Sequence, residues 1–272
     1  MLHTDSCNNL LTHWDPRPDV LADVEHRWPG RDATWDTRGL GRDLAVHGFA
    51  PHAQLPGGRF GVVVAGMWRG RPSVAKLDAN PGCEPSFGSA VVLAGAVFSP
   101  RVSYADPRSG VIVLDLVVPD SDRWAPGTTD PVELGEMLRL LGRAALRPLT
   151  GTTDVAAFIA PRISGSLLID VDRGSPVSTA AQLAGAQELL RQMPVGHNLI
   201  HGDVSAGNVL RGRGRWWLVD QRGMTGDPQF DVAIAAYKFR FGAEDRAALL
   251  RAAGADTATV DAWERIARVA RL

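Results

Sequence analysis

The sequence predicts an α+β protein in two parts, a mainly β N-terminal part followed by a mainly α C-terminal part. Three observations carry this. From Leu44 onward, short apolar runs alternate with turns that contain Gly and Pro. Beyond "PDSDRWAPGTTDP", a loop rich in Pro, Gly and Asp, apolar residues recur at helical spacing instead. The chain of 272 residues, 45% hydrophobic and 22% charged, has an ordinary globular composition and is long enough for one large core or two modest lobes.

The elements follow in order. Residues 1–42 are rich in Asp, Arg, Trp and Pro, show no clear period, and read as a capping segment. "LAVHGFAPHAQL", "GVVVAGMW" and "SVAKLD" read as three strands, with "PGGRF" and "RGRP" as the turns between them. "EPSFGSAVVLAGAV" reads as a helix opening at Glu84, with Pro85 in its first turn and two glycines that weaken it. "VIVLDLVV", Val111–Val118, is a further and central strand. The joint between the parts falls at Val117–Asp122, giving a β-rich part over 43–118 and a helical part over 119–272.

In the helical part, Pro131 opens a helix with Leu134, Met137, Leu138 and Leu141 on one face. A second helix, "STAAQLAGAQELLRQMP", is N-capped by Ser178 or Thr179. "LIHGD" and "RWWLVD" read as two adjacent short strands that deliver Asp203 and Asp220. The tail from Asp231 reads as two or three helices.

Several function classes are excluded early. A net charge of −1 makes no field that would gather nucleic acid or an anionic membrane. No run approaches the ~20 apolar residues of a membrane-spanning helix. The start, "MLHTDSCNNLLTHWDPRPDV", lacks a basic region followed by an apolar one, so no secretory signal is expected. Cys7 and Cys83 are too few for a disulfide framework or zinc ribbon, and a cytoplasmic location is expected. Nearly all basic residues are arginine; the lysines are Lys76 and Lys238. A lysine kept against that background points to a need for a compact ammonium charge.

The chemistry concentrates in "LIHGDVSAGNVLRGRGRWWLVDQRG", Leu199–Gly223. Asn208 follows Asp203 by five residues, and Asp220 ends the next apolar strand, so hard oxygen donors gather in one place. Mg²⁺ favours such donors and completes its shell with substrate phosphates. Phosphoryl transfer needs that cation and one further carboxylate to orient the attacking hydroxyl. Asp203 suits the carboxylate role, with Asn208 and Asp220 on the metal. Zinc would require a His/Cys set, and His201 stands alone. A serine hydrolase would require G-x-S-x-G, which neither "ISGSL" nor "DVSAG" matches. Paired carboxylates also serve glycoside hydrolysis, but nothing else in the chain points to a sugar cleft. Either aspartate alone would read as a turn residue; the spaced set is what speaks for chemistry.

H-G-D-x-x-x-x-N followed by an apolar strand ending in Asp resembles the catalytic and metal-binding segments of the protein-kinase-like phosphotransferases. Gly202, where protein kinases carry arginine, resembles the small-molecule branch, the aminoglycoside phosphotransferases. "VDQRGMTGDPQFDVA" is similar to the branch that includes streptomycin 6-phosphotransferases and hydroxyurea kinases. The resemblance spans roughly Leu44 to the C terminus and is strong across Leu199–Ala233.

The resemblance implies a two-lobed kinase-like fold that uses ATP and Mg²⁺. It implies that Gly57, Gly58 and Gly61 form a hairpin over the phosphates, that Lys76 meets the α- and β-phosphates, and that Glu84 fixes Lys76. Backbone groups of Asp115, Leu116 and Val117 would meet adenine, between apolar walls from Val62, Ala75 and Leu218. Asp231 would be a buried brace of the catalytic loop, His201 a second brace through its ring nitrogens, and Asp227 a cap.

The implied activity is ATP-dependent phosphorylation of a hydroxyl on a small, cationic acceptor. A basic antibiotic of the aminoglycoside kind is the leading candidate, inactivated by a monomeric enzyme that confers resistance. A metabolic kinase acting on an amino sugar or amino alcohol, and a nucleotide-binding regulator without turnover, are the alternatives. Asp120, Asp122, Glu133, Glu136 and Asp154 are the acidic residues available to a cationic acceptor, and each also reads as a solvated charge.

Overall fold

The computed structural model describes residues 44–45, 48–55, 61–78, 83–118, 129–148, 151–173 and 178–272. Gly57, Gly58, Asp120, Asp122 and the Trp-rich 1–43 segment lie outside these residues. The chain divides into two compact units. One runs to Phe87 and resumes over Pro100–Val117; the other comprises Gly88–Ser99 and the chain from Val118.

The first unit is built on one antiparallel sheet. Its strands are β1 (Phe49–Gln54), β2 (Gly61–Trp68), β3 (Arg71–Asp78), β4 (Val102–Asp106) and β5 (Val111–Asp115), in the order β1-β2-β3-β5-β4. β2 and β3 lie where their apolar patterns placed them. β1 is shorter than its pattern suggested, since Leu44 and Ala45 are helical and the strand begins at Phe49. β5 is an inner strand that ends at Asp115 rather than Val118. β4 went unread because it is an edge strand with a half-exposed pattern and a register irregularity between Val102 and Tyr104, so it lacks an apolar run. Alternation along β3 sends Ala75 and Leu77 into a core with Val62, Val64, Val111 and Val113. Lys76, between Val63 and Ile112 in register, therefore projects from the other face. Helix α1 (Glu84–Gly95) opens at Glu84 as expected.

The second unit is mainly helical. Asp130 caps α2 (Pro131–Arg143), accepting from the N–H groups of Val132 and Glu133, with Pro131 in the first turn. Gly135 lets this helix approach a later one closely, since a Cβ there would stand 2.5 Å from the Leu249 carbonyl oxygen. Next comes β6 (Thr153–Asp154) and α3 (Val155–Arg173), a helix the sequence pattern did not disclose. Pro161 lies inside it and masks a period that the burial of Val155, Ile159 and Ile163 makes plain. Helix α4 (Ala180–Gln192) is N-capped by Thr179, whose hydroxyl accepts from Gln182 N–H while the Gln182 side chain accepts from Thr179 N–H.

Four short strands follow: β7 (Asn198–Ile200), β8 (Val209–Gly212), β9 (Arg215–Leu218) and β10 (Met224–Gly226). β7 pairs with β10, and β8 with β9. The strands leading to Asp203 and Asp220 thus lie in different sheets, correcting their reading as neighbours. The apolar composition of both runs fitted either pairing, and the tight turn at Arg213–Gly214, both at positive φ, decides it by closing β8 onto β9.

Three helices end the chain, α5 (Gln229–Phe239), α6 (Ala243–Ala253) and α7 (Thr257–Val269). Phe230 and Trp263 meet edge-to-face at 5.1 Å in the core shared with Leu134, Ile159, Leu199 and Ile200. Among the described residues no helix is long and apolar enough to cross a membrane.

Candidate active site

The β7–β10 ladder, with Ile200 opposite Met224, carries the chain into the buried His201. Gly202 follows at φ +80°, a conformation L side chains rarely adopt, and a Cβ there would lie 2.7 Å from Met224 Sδ. The turn it permits sends Asp203 out beside Arg222 and Lys238. Gly202→Ala is expected to cost roughly 1–3 kcal/mol through strain and the Met224 contact, read from the shift of a urea unfolding curve. A curve unmoved within 0.3 kcal/mol, about the smallest resolvable difference, would show that the turn relaxes freely.

The loop is held from three sides. The Asp231 carboxylate accepts from His201 N–H at 2.7 Å and from Gly202 N–H at 2.8 Å, so it is the buried brace that the sequence implied. Burial pushes the Asp231 carboxyl up from its ordinary value, against the two N–H groups and the His201 ring that favour the charge. His201 Nε2 is 2.9 Å from the Val219 carbonyl and its Nδ1 is 3.2 Å from Asp203 N, so both ring nitrogens are engaged by the loop's own surroundings. Its role as a loop brace, rather than an acid or base, is what these contacts supply. Arg222 N–H closes the turn on the His201 carbonyl at 2.9 Å.

The β8–β9 hairpin brings the other two oxygen donors together. Register sets Val209 opposite Leu218, so Asn208 and Val219 lie at the same open end, joined by Val219 N–H to the Asn208 carbonyl at 2.9 Å. Asp220 comes next, at φ +60°, a strained position that aspartate tolerates better than most residues. Asn208 Nδ2 donates to the Asp203 carbonyl at 2.9 Å, which leaves Oδ1 as the atom able to accept a cation. An amide oxygen and a carboxylate suit Mg²⁺. Among the described residues no three of His, Cys, Asp or Glu gather into a metal cage.

Asp203 itself is largely buried, with 17% of its side chain exposed. Arg222 donates to Oδ2 through Nε at 3.2 Å and Nη2 at 2.9 Å, and Lys238 Nζ donates to Oδ1. Burial pushes the carboxyl up, but Arg222, Lys238 and His201 together outweigh it and hold Asp203 below the usual carboxylate range. Such a group is ionised at neutral pH. Arg222 and Lys238 are the site residues that sequence reasoning missed; the rarity of lysine was the one signal that bore on either.

In the first unit the site residues are placed as follows. Lys76 Nζ forms an ion pair with Asp78 at 3.1 Å. Glu84 is exposed in the first turn of α1 and makes no ion pair among the described residues, so the expected Lys76–Glu84 pair is not made. Asp78 lies two residues along the same face of β3 and competes from closer by. Gly61 opens β2 where a Cβ would stand 2.3 Å from the Leu77 carbonyl, which gives it a packing reason to be glycine. Asp115 N–H donates to the Arg101 carbonyl and Leu116 N–H to the Pro72 carbonyl. Two of the three N–H groups expected to face adenine are thus engaged within the sheet. The Asp115 carboxylate is taken by Arg101 at 3.0 and 3.2 Å.

The acidic residues considered for a cationic acceptor also have structural work. Glu133 pairs with Arg211 at 3.1 Å and accepts from Trp216 Nε1 at 3.0 Å. Asp154 caps α3, accepting from Ala156 and Ala157 N–H. Glu136 is exposed. Asp227 accepts from Gln229 N–H at 3.0 Å in the turn that leads through Pro228 into α5.

Comparison with known proteins adds to this geometry. The family model described as "Phosphotransferase enzyme family" matches residues 127–267. Among curated protein sequences none matches significantly. A choline/ethanolamine kinase family protein from Mesorhizobium loti is similar in structure, with a TM-score of 0.63 at 17% identity, over 93% of this chain and 83% of that one. An aminoglycoside-3'-phosphotransferase of type VIII gives 0.56 at 21%, over 92% and 98%. A spectinomycin phosphotransferase, solved with ADP and spectinomycin, gives 0.59 at 13%, over 84% and 83%. At these identities the likeness shows the fold: a small antiparallel sheet followed by a mainly helical part, in the manner of kinases.

Proposed function

Since the chain belongs to the phosphotransferase enzyme family, we propose that it moves the γ-phosphoryl group of ATP to a hydroxyl of a small molecule. The observation that supports this most is the arrangement around Asp203. An ionised carboxylate stands on a loop locked by Asp231 and His201; the Asp203 backbone carbonyl accepts from Asn208, whose own carbonyl accepts from Val219, the residue before Asp220.

In this reading Asp203 receives the acceptor hydroxyl and orients its oxygen toward the γ-phosphorus. The new O–P bond forms as the β,γ-bridging P–O bond breaks, ADP leaves, and the hydroxyl proton passes to Asp203. A carboxylate held by two cations is a weak base. That is enough where the transition state is loose and orientation counts for more than early proton removal. Asn208 Oδ1 and Asp220 would hold Mg²⁺, which when bound neutralises charge on the phosphates. Lys76 and the 57–61 turn would meet the phosphates, with Glu84 at the head of the following helix, and Asp115–Val117 would line the adenine.

Two acceptor classes follow. A basic antibiotic, inactivated by phosphorylation, is favoured by the motif G-D-P-Q-F-D, Gly226–Asp231, and by the likeness to aminoglycoside and spectinomycin kinases. An amino alcohol is favoured by the choline/ethanolamine kinase likeness.

The test is ADP release by the purified chain with Mg·ATP and a panel of streptomycin, other aminoglycosides, spectinomycin, capreomycin, hydroxyurea, amino sugars, choline and ethanolamine. Turnover with one acceptor, abolished by a chelator and restored by Mg²⁺, is expected. Binding of Mg·ATP at 100 times its Kd should add about 2.7 kcal/mol of stability. No such thermal shift and no ADP release would refute the reading.

A further inference from the structure

We propose that Lys238 is a positioning residue for phosphoryl transfer, fixing the Asp203 carboxylate from the end of helix α5 while Arg222 fixes it from the turn after β9. This rests on the reading of Asp203 as the group that receives the acceptor hydroxyl.

Helix α5 grips the loop twice. Asp231 in its first turn takes the backbone N–H groups of His201 and Gly202, and Lys238 in its last turn takes the side chain of Asp203. The two residues are seven apart, about two helical turns, and so share a face. A helical side chain sweeps back toward the N-terminus, which returns the Lys238 ammonium toward the loop that Asp231 holds.

The division of oxygens matters. Arg222 places both of its donors on Oδ2, and Lys238 takes Oδ1. With one partner the carboxylate can turn about its Cβ–Cγ bond; with both, its plane is set. No residue between Asp203 and Asn208 supplies a cation, since the loop there reads Val204, Ser205, Ala206, Gly207. The charge on the carboxylate must be met from outside the loop. An ammonium has three N–H donors, and one contact to Oδ1 leaves two for negative charge arriving beside Asp203. Arginine, with its rigid planar fork, does not offer that, and this is one of two lysines in a chain with 29 Lys and Arg residues. The loop backbone is held by Asp231 and the carboxylate keeps Arg222, so loss of Lys238 removes orientation without unfastening the loop.

The experiment compares the full chain with Lys238→Met and Lys238→Arg, using the acceptor that the parent turns over best. Lys238→Met should lower kcat roughly 10- to 100-fold, with KM for ATP within about twofold and the Mg·ATP thermal shift retained; Lys238→Arg, which keeps a positive charge beside Oδ1 but not the free ammonium donors, should recover only part of that kcat. A Met variant whose kcat stays within twofold of the parent overturns the proposal. So does a kcat loss matched by loss of the Mg·ATP shift, which would mark general damage to the fold.

A parent that releases no ADP with any acceptor defeats the phosphotransfer reading by itself, and a second measurement then judges Lys238. The chain has two lysines, so acetylation followed by mass spectrometry reads each separately. Asp203→Asn should free the Lys238 ammonium and speed its acetylation several-fold while leaving Lys76 unchanged. Equal labelling of Lys238 in parent and variant overturns the contact on which the proposal stands.

Discussion

Asp203→Asn is expected to lower phosphoryl transfer by about 10³-fold or more, the upper part of the range for a positioned acid–base group, while Mg·ATP binding stays near that of the parent. The substitution keeps shape and removes charge. It takes away the oxygen that accepts the hydroxyl proton, and it sets an amide before Arg222 and Lys238, whose charges then lose their partner. The nucleotide and metal contacts are assigned to other residues, Lys76, Asn208 and Asp220, so binding and transfer should separate. The pair of measurements is kcat with the best acceptor and the Mg·ATP-induced rise in melting temperature. Turnover within tenfold of the parent would remove Asp203 from the role. Loss of the thermal shift together with turnover would mean that the loop, not the carboxylate, had been damaged.

The legible and illegible parts of this chain divide by the range of the interactions that define them. β2 and β3 could be read because their apolar alternation is local. So could α4, because Thr179 and Gln182 form its cap within four residues. Asp203, Asn208 and Asp220 could be read because one loop and one hairpin carry all three at fixed spacing. Helix α3 could not, since its evidence is the burial of Val155, Ile159 and Ile163 against other elements, and Pro161 interrupts the pattern from within. The pairing of β7 with β10 rather than β9 is a choice among equally apolar partners. It rests on Gly196 and Gly226, where a Cβ on Gly196 would lie 2.1 Å from the Gly226 carbonyl group. Lys238 reaches Asp203 across 35 positions and Arg222 across 19, distances at which only the fold can name a partner. Lysine scarcity singled out Lys238 without saying what it touches. Lys76 stands out by the same scarcity, and its partner Asp78, two residues along the same strand face, is set by the alternation of β3 rather than by the following helix.

Asp231→Ala is expected to produce the largest loss of stability of any single change in the second unit's loop, roughly 2–6 kcal/mol, or about 1–3 for each of two buried donors left unmet. Asp231 is 2% exposed and His201 fully buried, so water cannot replace the carboxylate at either N–H. Asp231→Asn is the sharper probe of what the carboxylate contributes. One amide oxygen can still accept from His201 or Gly202, but the NH₂ group then faces the other donor. Against that loss stands a gain. Burial pushes the Asp231 carboxyl up, meaning that the folded protein resists its ionisation, and a neutral side chain escapes that cost. The asparagine variant should therefore unfold at a denaturant concentration between those of the alanine variant and the parent. Its deficit should shrink as pH rises through the folded-state value of Asp231, where the parent gives up stability that the uncharged variant never had. Urea unfolding of all three proteins across pH reads this order directly. An asparagine variant as unstable as the alanine one at every pH would show that the charge on Asp231, and not its two oxygens as acceptors, holds the loop in place.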